Sequence, residues 1–293
     1  MKKNNRLIKI CFFSTLLLTL VACNQAQKSS DGTTETSVTQ TKSAQVSWKA
    51  SYTNMNSQPS AEEVRKALAA HLDKDSVDAF FNLVNDYNNT VGSVGLTGDF
   101  STFTKTDYDV EKISNLWVPK KGDFVGTNCR INSYCLLKNS IEIPKLAKDD
   151  SLLFVDNDAI DKGKVFDAED KDAFDILFSR VKTEATTDVK VHAAKMEKFL
   201  SQFKFNENAR MLSVVVHDDL DGQSLFIGHV GILVPSKDGY LFVEKLTFEE
   251  PYQAIKFATK EDCYKYLSTK YENYTGEGLA KPFIMDNDKW IQL

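Results

Sequence analysis

The sequence predicts an α+β fold in which a helical first half packs on an antiparallel β-meander. Apolar residues recur at helical spacing up to about residue 203, and from Met211 the period switches to the alternation of strands. Turn signals then divide the strand-like region into three runs. Taken in order, Ser60-Ala61-Glu62-Glu63 reads as a capping box opening a helix that carries Val64, Leu68 and Leu72. Val77, Phe80, Phe81, Val84 and Tyr87 form the stripe of a second helix, and residues 91–120 read as loop. Gly126-Thr127-Asn128-Cys129 follows a stretch rich in Pro, Lys and Gly and opens a helix running to about Lys138, with Asn128 as N-cap and Cys129 as its first residue. The charge run Asp167–Asp175 reads as the solvated start of a helix. Phe174, Leu177, Phe178 and Val181 make one further stripe, and His192, Met196, Phe199, Leu200 and Phe203 another, with His192 a core or boundary histidine. The strands are expected at MLSVVVH (211–217), SLFIGHVGILV (224–234) and GYLFVEKLTF (239–248). A last helix starts at Thr259, where Asp262 is placed to close a capping box and Cys263 and Leu267 face one way.

Residues 1–23 run from a basic start through an apolar stretch to Leu20-Val21-Ala22-Cys23. The apolar part is shorter than the about 20 residues a membrane span needs, and it ends in the small residues of an export signal. Its Leu-x-Ala-Cys ending resembles the lipobox of bacterial lipoproteins. That resemblance implies a thiol acylated by diacylglycerol, cleavage just before Cys23, and a protein held on the extracytoplasmic face of the cell membrane by its lipid. An ordinary secretory signal that happens to end in cysteine is the alternative. The organisation expected is therefore a signal peptide over 1–22, a lipidated stalk over 23–46 and one domain over 47–293. Residues 24–46 are Gln, Lys, Ser, Thr, Gly and Asp with almost nothing apolar, a composition that cannot offset its ordering entropy by burial.

Losing Lys2, Lys3, Arg6 and Lys9 with the signal moves the formal charge from −5 to −9, which argues against a nucleic-acid partner and against docking on anionic lipid. The lipid anchor at Cys23 supplies the membrane contact. Beyond the signal and Cys23 the chain keeps Cys129, Cys135 and Cys263, an odd trio that makes no disulfide framework. Cys129 and Cys135 stand about 9 Å apart along a helix axis, out of disulfide reach. Cys135 and Cys263 are either a bridge or two buried thiols. No cofactor is implied; the chain has no phosphate-binding glycine loop, and it has no Gly-x-Ser-x-Gly elbow to present a serine nucleophile. No metal is implied either. Asp219-Leu220-Asp221-Gly222 holds fragments of a calcium loop but lacks the later ligands, so it reads as a hairpin turn. A zinc site at His217 and His229 is set aside, since an Asp221-Gly222 turn pairs Val214 with His229 and points His217 to the other face.

Chemistry centres on Cys129. A helix N-terminus offers partial positive charge and unpaired N–H groups, both of which favour thiolate over thiol. Ile131, Tyr134 and Cys135 share an apolar face, while Cys129, Asn132 and Ser133 share a more polar one, so Cys129 is expected to face a site and Cys135 the core. The bland alternative is a small buried residue at a helix start. A base is available in Gly228-His229-Val230-Gly231, where the glycines are expected to leave room around the ring. With Pro235–Asp238 as a four-residue loop, Val234 lies opposite Gly239 and His229 directly opposite Glu244, close enough for Glu244 to fix the imidazole tautomer. Glu244 paired with a nearby lysine as an ordinary surface ion pair is the competing arrangement, and a one-residue slip would send it to the other face.

Asn128-Cys129 at a helix start, His-Val-Gly-Ile-Leu-Val in a strand and a polar residue on the next strand together resemble the papain-like cysteine hydrolases of bacterial cell walls, the NlpC-type peptidases and their amidase relatives. The resemblance implies a papain-like α+β fold, with Cys129 as nucleophile, His229 as base and Glu244 as its orienter, acting on cell-wall or other peptide amide bonds. Phe226–Phe257, with Glu244-Lys245-Leu246 and Phe248-Glu249-Glu250-Pro251-Tyr252-Gln253, also resembles a family of Gram-positive lipoproteins of uncharacterised function, over roughly residues 120–293. Asn-Cys-Arg-Ile stands where the peptidases have Asp-Cys-Ser-Gly, the third residue is Glu rather than His, and a long helical insertion separates Cys129 from His229. Two other functions fit the same residues: a non-catalytic binding or assembly lipoprotein, and a transglutaminase-like acyl transferase.

Overall fold

A computed structural model describes residues 49–103 and 107–293 of the chain, so the expected signal, Cys23 and nearly all of the stalk lie outside the described residues. The architecture is α+β. In chain order the elements are β1 (Ser51–Thr53), α1 (Gln58–Ala69), α2 (Lys74–Val91), β2 (Ser101–Thr102), α3 (Val110–Lys121), α4 (Cys129–Leu137), α5 (Phe154–Gly163), α6 (Ala168–Leu177), β3 (Val181–Lys182), α7 (Val189–Leu200), β4 (Arg210–Asp218), β5 (Ser224–Ser236), β6 (Gly239–Lys245), β7 (Tyr252–Phe257), α8 (Lys260–Tyr271), β8 (Phe283–Asp286) and β9 (Lys289–Ile291). None of the helices among the described residues is long and apolar enough to cross a membrane.

Most helices form where their caps and stripes dictate; α5, which no side chain caps, is one the sequence pattern does not announce, and two further expectations need correction. The N-cap of α1 is Ser57, whose hydroxyl accepts from the Ser60 amide with Pro59 in the first turn, so Ser60 is a buried residue inside the helix. Residues 91–120 are not all loop: α3 is capped by Asp109, which accepts from the Lys112 amide, and is held by buried Ile113 and Trp117 one turn apart. Pro119 lies in its last turn, near the C-terminal Gly122 with its left-handed φ of 63°. The Trp117 ring is anchored by its N–H to the Phe124 carbonyl at 2.6 Å. The stripes from Val77 and from His192 and the capping box at Thr259 form helices as expected, and Asp167 caps α6. Phe178 caps α6 at its C-terminal end, and Val181 falls in β3.

All strands pair antiparallel, in the order β2-β1-β7-β6-β5-β4-β8-β9, with β3 added beside β5. One face of the sheet carries the larger core, in which Val230, Ile232 and Val243 pack with α2, α4, α6 and α7. Leu212, Val214, Leu233 and Phe242 on the other face pack against α8. The β5–β6 turn has two residues, Lys237 and Asp238, so Ser236 pairs with Gly239 and Gly231 pairs with Glu244. His229 is therefore diagonal to Glu244 rather than opposite it. Because the shift is two residues, Glu244 keeps the expected face.

Along β4 and β5 the expected pair Val214–His229 is present, reached by a different route. Nearer the turn Asp218 pairs with Ser224, one residue out of the expected register, and a bulge that leaves Gly228 over restores it. His217 pairs with Leu225 and rests 4.3 Å from the ring of His192, on the opposite face from His229. Both rings are buried and satisfied, His192 by Thr183 and the Thr186 carbonyl, His217 by Gln223 and the Ala280 amide.

Candidate active site

The site opens from an interruption in the sheet. β3 covers one edge of β5 at Ser224 and Leu225, and β6 takes up the same edge only at Gly231, so Phe226–Val230 have no strand beside them there. The N-terminus of α4 fills the interval. Arg130 donates through Nη1 to the Ile227 carbonyl at 3.1 Å, and Cys129 beside it is brought close enough to His229 for each to shift the ionisation of the other. α4 belongs to the larger core and His229 stacks on Tyr271 of α8, with ring centroids 4.7 Å apart. The gap thus lets a thiol from one layer meet an imidazole that faces the other.

Asn128 caps α4 by accepting from the Ile131 amide at 3.1 Å, and its Nδ2 donates to Asp156 of α5 at 2.7 Å. Asp156 also takes Arg130 in a two-point grip, Nε at 2.9 Å and Nη2 at 2.7 Å. The helix start is thereby held by a buried carboxylate that sequence reasoning missed, because Asp156 lies 26 residues from Arg130 and carries no local signal of its partner. Tyr252 of β7 adds a second hold, donating to Asn132 Oδ1 at 2.9 Å and sharing a hydrogen bond with Thr127 at 3.1 Å.

His229 Nε2 and Glu244 Oε2 are 2.6 Å apart, which leaves Nδ1 for the thiol. The other carboxylate oxygen accepts from Tyr266, and Lys270 stands 3.5 Å from it. Glu244 is buried, so it makes no surface ion pair, although Lys270 stands near the carboxylate that orients the histidine. Burial acts to raise the Cys129 thiol, and the His229 charge, its hydrogen bond and Arg130 outweigh it, so the thiol is held below its ordinary value. Burial likewise acts against protonated His229, and Cys129 and Glu244 overcome it and hold its pKa up. For Glu244, burial is outweighed by Lys270, His229 and Tyr266, which hold its carboxyl down to about 2. All three shifts favour one charge state, a thiolate beside an imidazolium beside a carboxylate.

Two expectations need correction. Cys129 does not face open solvent: it is 5 % exposed, His229 and Glu244 are each 2 % exposed, and every residue of α4 except Arg130 is buried. The α4 polar face is turned inward because Tyr252, Thr127 and Asp156 offer it hydrogen-bond partners. Nor do the glycines leave space around the ring. A Cβ at Gly228 would stand 2.7 Å from a Val216 methyl, and one at Gly231 would stand 2.4 Å from the Phe242 ring and 2.7 Å from the Val243 carbonyl. The room they leave is filled by neighbouring strands. Cys129, Cys135 and Cys263 are all free thiols, the latter two in different cores.

A family model described as a domain of unknown function (DUF4300) matches residues 51–291. The chain belongs to that family. The match takes in the helical half as well as the strands, so α4 and the β5–β6 hairpin that form the site are parts of one family domain. No curated protein and no solved structure matches the chain.

Proposed function

We propose that this member of the DUF4300 family is an extracytoplasmic, lipid-anchored cysteine hydrolase that cleaves amide bonds in peptides, with those of the cell wall as first candidates. The observation that carries the reading is the buried grouping of Cys129 at a helix start, His229 and Glu244, in which the carboxylate is 2.6 Å from the imidazole, the thiol is held low and the imidazole high. Helix-start cysteine, strand histidine and next-strand carboxylate follow the order of the papain-like hydrolases, and the likeness of the local sequence to the NlpC-type peptidases supports a papain-like mechanism. In it the Cys129 sulfur bonds to the substrate carbonyl carbon, and the C–N bond breaks as imidazolium His229 gives its proton to the departing amine. The thioester left on Cys129 is released by water, with His229 taking one water proton and the sulfur departing as thiolate. Glu244 keeps the imidazole in the tautomer that points Nδ1 at the sulfur. Lipidation at Cys23, read from Leu20-Val21-Ala22-Cys23, would place this chemistry outside the membrane.

The burial of all three side chains favours a second reading, a binding or assembly lipoprotein that keeps the constellation without turnover. Incubating the protein with muropeptides, alone and with an added primary amine, separates the readings. Hydrolysis yields a new carboxylate, a transglutaminase-like transfer incorporates the amine, and a binding protein yields neither. Loss of product in Cys129→Ala and His229→Ala is required of the enzyme readings, and product that persists in either variant refutes the assignment.

A further inference from the structure

β6 ends on two buried charged residues, and successive strand side chains point to opposite faces. Glu244 serves His229; Lys245 points away from it, toward α2 and α4. Lys245 is 1 % exposed. Its Nζ donates to three carbonyls of the loop that follows, Thr247 at 2.7 Å, Phe248 at 3.1 Å and Glu250, so each ammonium N–H has an acceptor. Nζ also lies 4.3 Å from the Tyr87 ring centroid and 5.3 Å from that of Tyr252, where aromatic faces attract a cation. The Tyr87 hydroxyl takes the remaining carbonyl, that of Glu249. Four consecutive loop carbonyls thus turn inward onto two buried donors. The loop is closed by the Leu246 amide on the Pro251 carbonyl at 3.2 Å and the Glu250 amide on Thr247 Oγ1 at 3.0 Å.

This loop abuts the approach to the nucleophile. A Cβ at Gly126, whose φ is +91°, would stand 3.1 Å from the Phe248 carbonyl, so the glycine that leads into Thr127, Asn128 and Cys129 is pressed against an acceptor of Lys245. Tyr252, with the cation over its face, passes its hydroxyl to Asn132 of α4. The ionisable groups facing the ammonium are Glu249 and Glu250 from its own loop and Cys129 from α4, with the Tyr87 and Tyr252 rings from α2 and β7.

We propose that Lys245 is a positioning residue of the Cys129 site: its ammonium holds the 246–251 loop against the Gly126 turn that presents α4, and it sets a buried positive charge within electrostatic reach of the thiol. This rests on the reading of Cys129 as nucleophile. Burial draws the Lys245 ammonium down to about 7, and Glu249, Glu250 and Cys129 act to hold the proton on. The carbonyl cage fits –NH3+, since a neutral amine would leave one carbonyl without a donor.

The test is the pH profile of Cys129 alkylation in the full chain, read by peptide mass spectrometry, for wild type, Lys245→Gln, Lys245→Met and Lys245→Arg, with Tm measured alongside. Glutamine keeps donors for the loop and loses the charge; arginine keeps the charge. The expected result is an upward shift of the profile midpoint by a few tenths of a pH unit in the Gln and Met variants, equivalent to about twofold slower reaction below the midpoint. Lys245→Arg should overlay wild type at each pH. A fall in Tm shared by all variants reports the loop; the midpoint reports the charge. Unchanged midpoints in folded Gln and Met variants overturn the proposal and leave Cys129 as nucleophile. A wild-type Cys129 midpoint no lower than that of an ordinary thiol removes the nucleophile reading, and the proposal with it. A measurement that needs no variant is the 15Nζ shift of Lys245 at pH 6, which must be that of an ammonium; a neutral amine overturns the proposal.

Discussion

The three thiols of the domain make an internal experiment. Cys129, Cys135 and Cys263 are 5 %, 3 % and 0 % exposed, so a difference in their reactivity reports ionisation far more than access. Burial pushes the Cys135 thiol up to about 12 and the Cys263 thiol well above 9.0, whereas Cys129 is held below 9.0. At pH 7 a thiol of pKa 9 is about 1 % thiolate and one of pKa 12 about 0.001 %, so Cys129 carries at least about 1,000 times the thiolate of Cys135. A less basic thiolate is a weaker nucleophile, by about 1.5 decades over three pKa units, so the net advantage is at least about thirtyfold. His229→Ala removes the charge and hydrogen bond that lower the Cys129 thiol and leaves burial, so its rate should fall at least about tenfold. Pulse alkylation with iodoacetamide at pH 7, followed by digestion and site-resolved mass spectrometry, measures all three rates in one sample. Circular dichroism checks that the variant is folded. Cys129 reacting within about threefold of Cys135, or a folded His229→Ala with an unchanged Cys129 rate, refutes the electrostatic argument.

Glu244, held down to about 2 from 4.5, contributes stability that is fully present above pH 4.5 and is lost as pH falls through about 2, amounting to about 3 kcal/mol. Denaturant titrations at pH 5 and pH 2.5 should show a smaller acid loss in Glu244→Gln than in wild type; an equal loss places the acid sensitivity elsewhere. Gly231→Ala drives a methyl into the Phe242 ring and the Val243 carbonyl and should cost about 1–3 kcal/mol, visible as a lowered Tm, whereas an unchanged Tm shows that Phe242 repacks without cost. Asp156→Ala leaves Arg130 and Asn128 without their buried acceptor and should cost about 3–5 kcal/mol in urea unfolding; a loss below about 1 kcal/mol means the helix start is held by Tyr252 instead.

The candidate site was legible in the sequence to the extent that its signals are local. Asn128 caps α4 because Asn before an apolar helical run does so wherever it occurs, and His229 and Glu244 share a face because their strands alternate and the hairpin between them is short. That hairpin is two residues tighter than expected, and parity protected the conclusion: a slip of two exchanges a facing partner for a diagonal one, while a slip of one would have parted the pair. On the other side of β5 two deviations, the longer turn and the bulge at Gly228, offset each other at Val214–His229. The residues that tune the site, Asp156, Tyr266, Lys270, Tyr271 and Lys245, were not singled out in this role. Except for Lys245, whose acceptors are in the loop directly after it, their partners at the site lie on other elements, and nothing in their own neighbourhoods distinguishes them from ordinary surface charges and core tyrosines.

The sequence by itself determined the α+β class, most helices, the three-strand meander, the helix-start position of Cys129 and the common face of His229 and Glu244. Each depends on periodicity or on groups within a few residues, where backbone hydrogen bonding and side-chain alternation leave little freedom. Only the tertiary structure decided that β5 lacks a neighbour between β3 and β6, that α4 enters there, and that the thiol, imidazole and carboxylate meet out of water. It also decided that the glycines beside His229 accommodate Val216 and Phe242 and that a buried lysine shapes the loop next to Gly126. The meeting of α4 with β5 depends on surfaces that pack across 97 residues of chain, as from Arg130 to Ile227, and there the balance of burial, hydrogen bonding and charge is set by groups that no local pattern brings together.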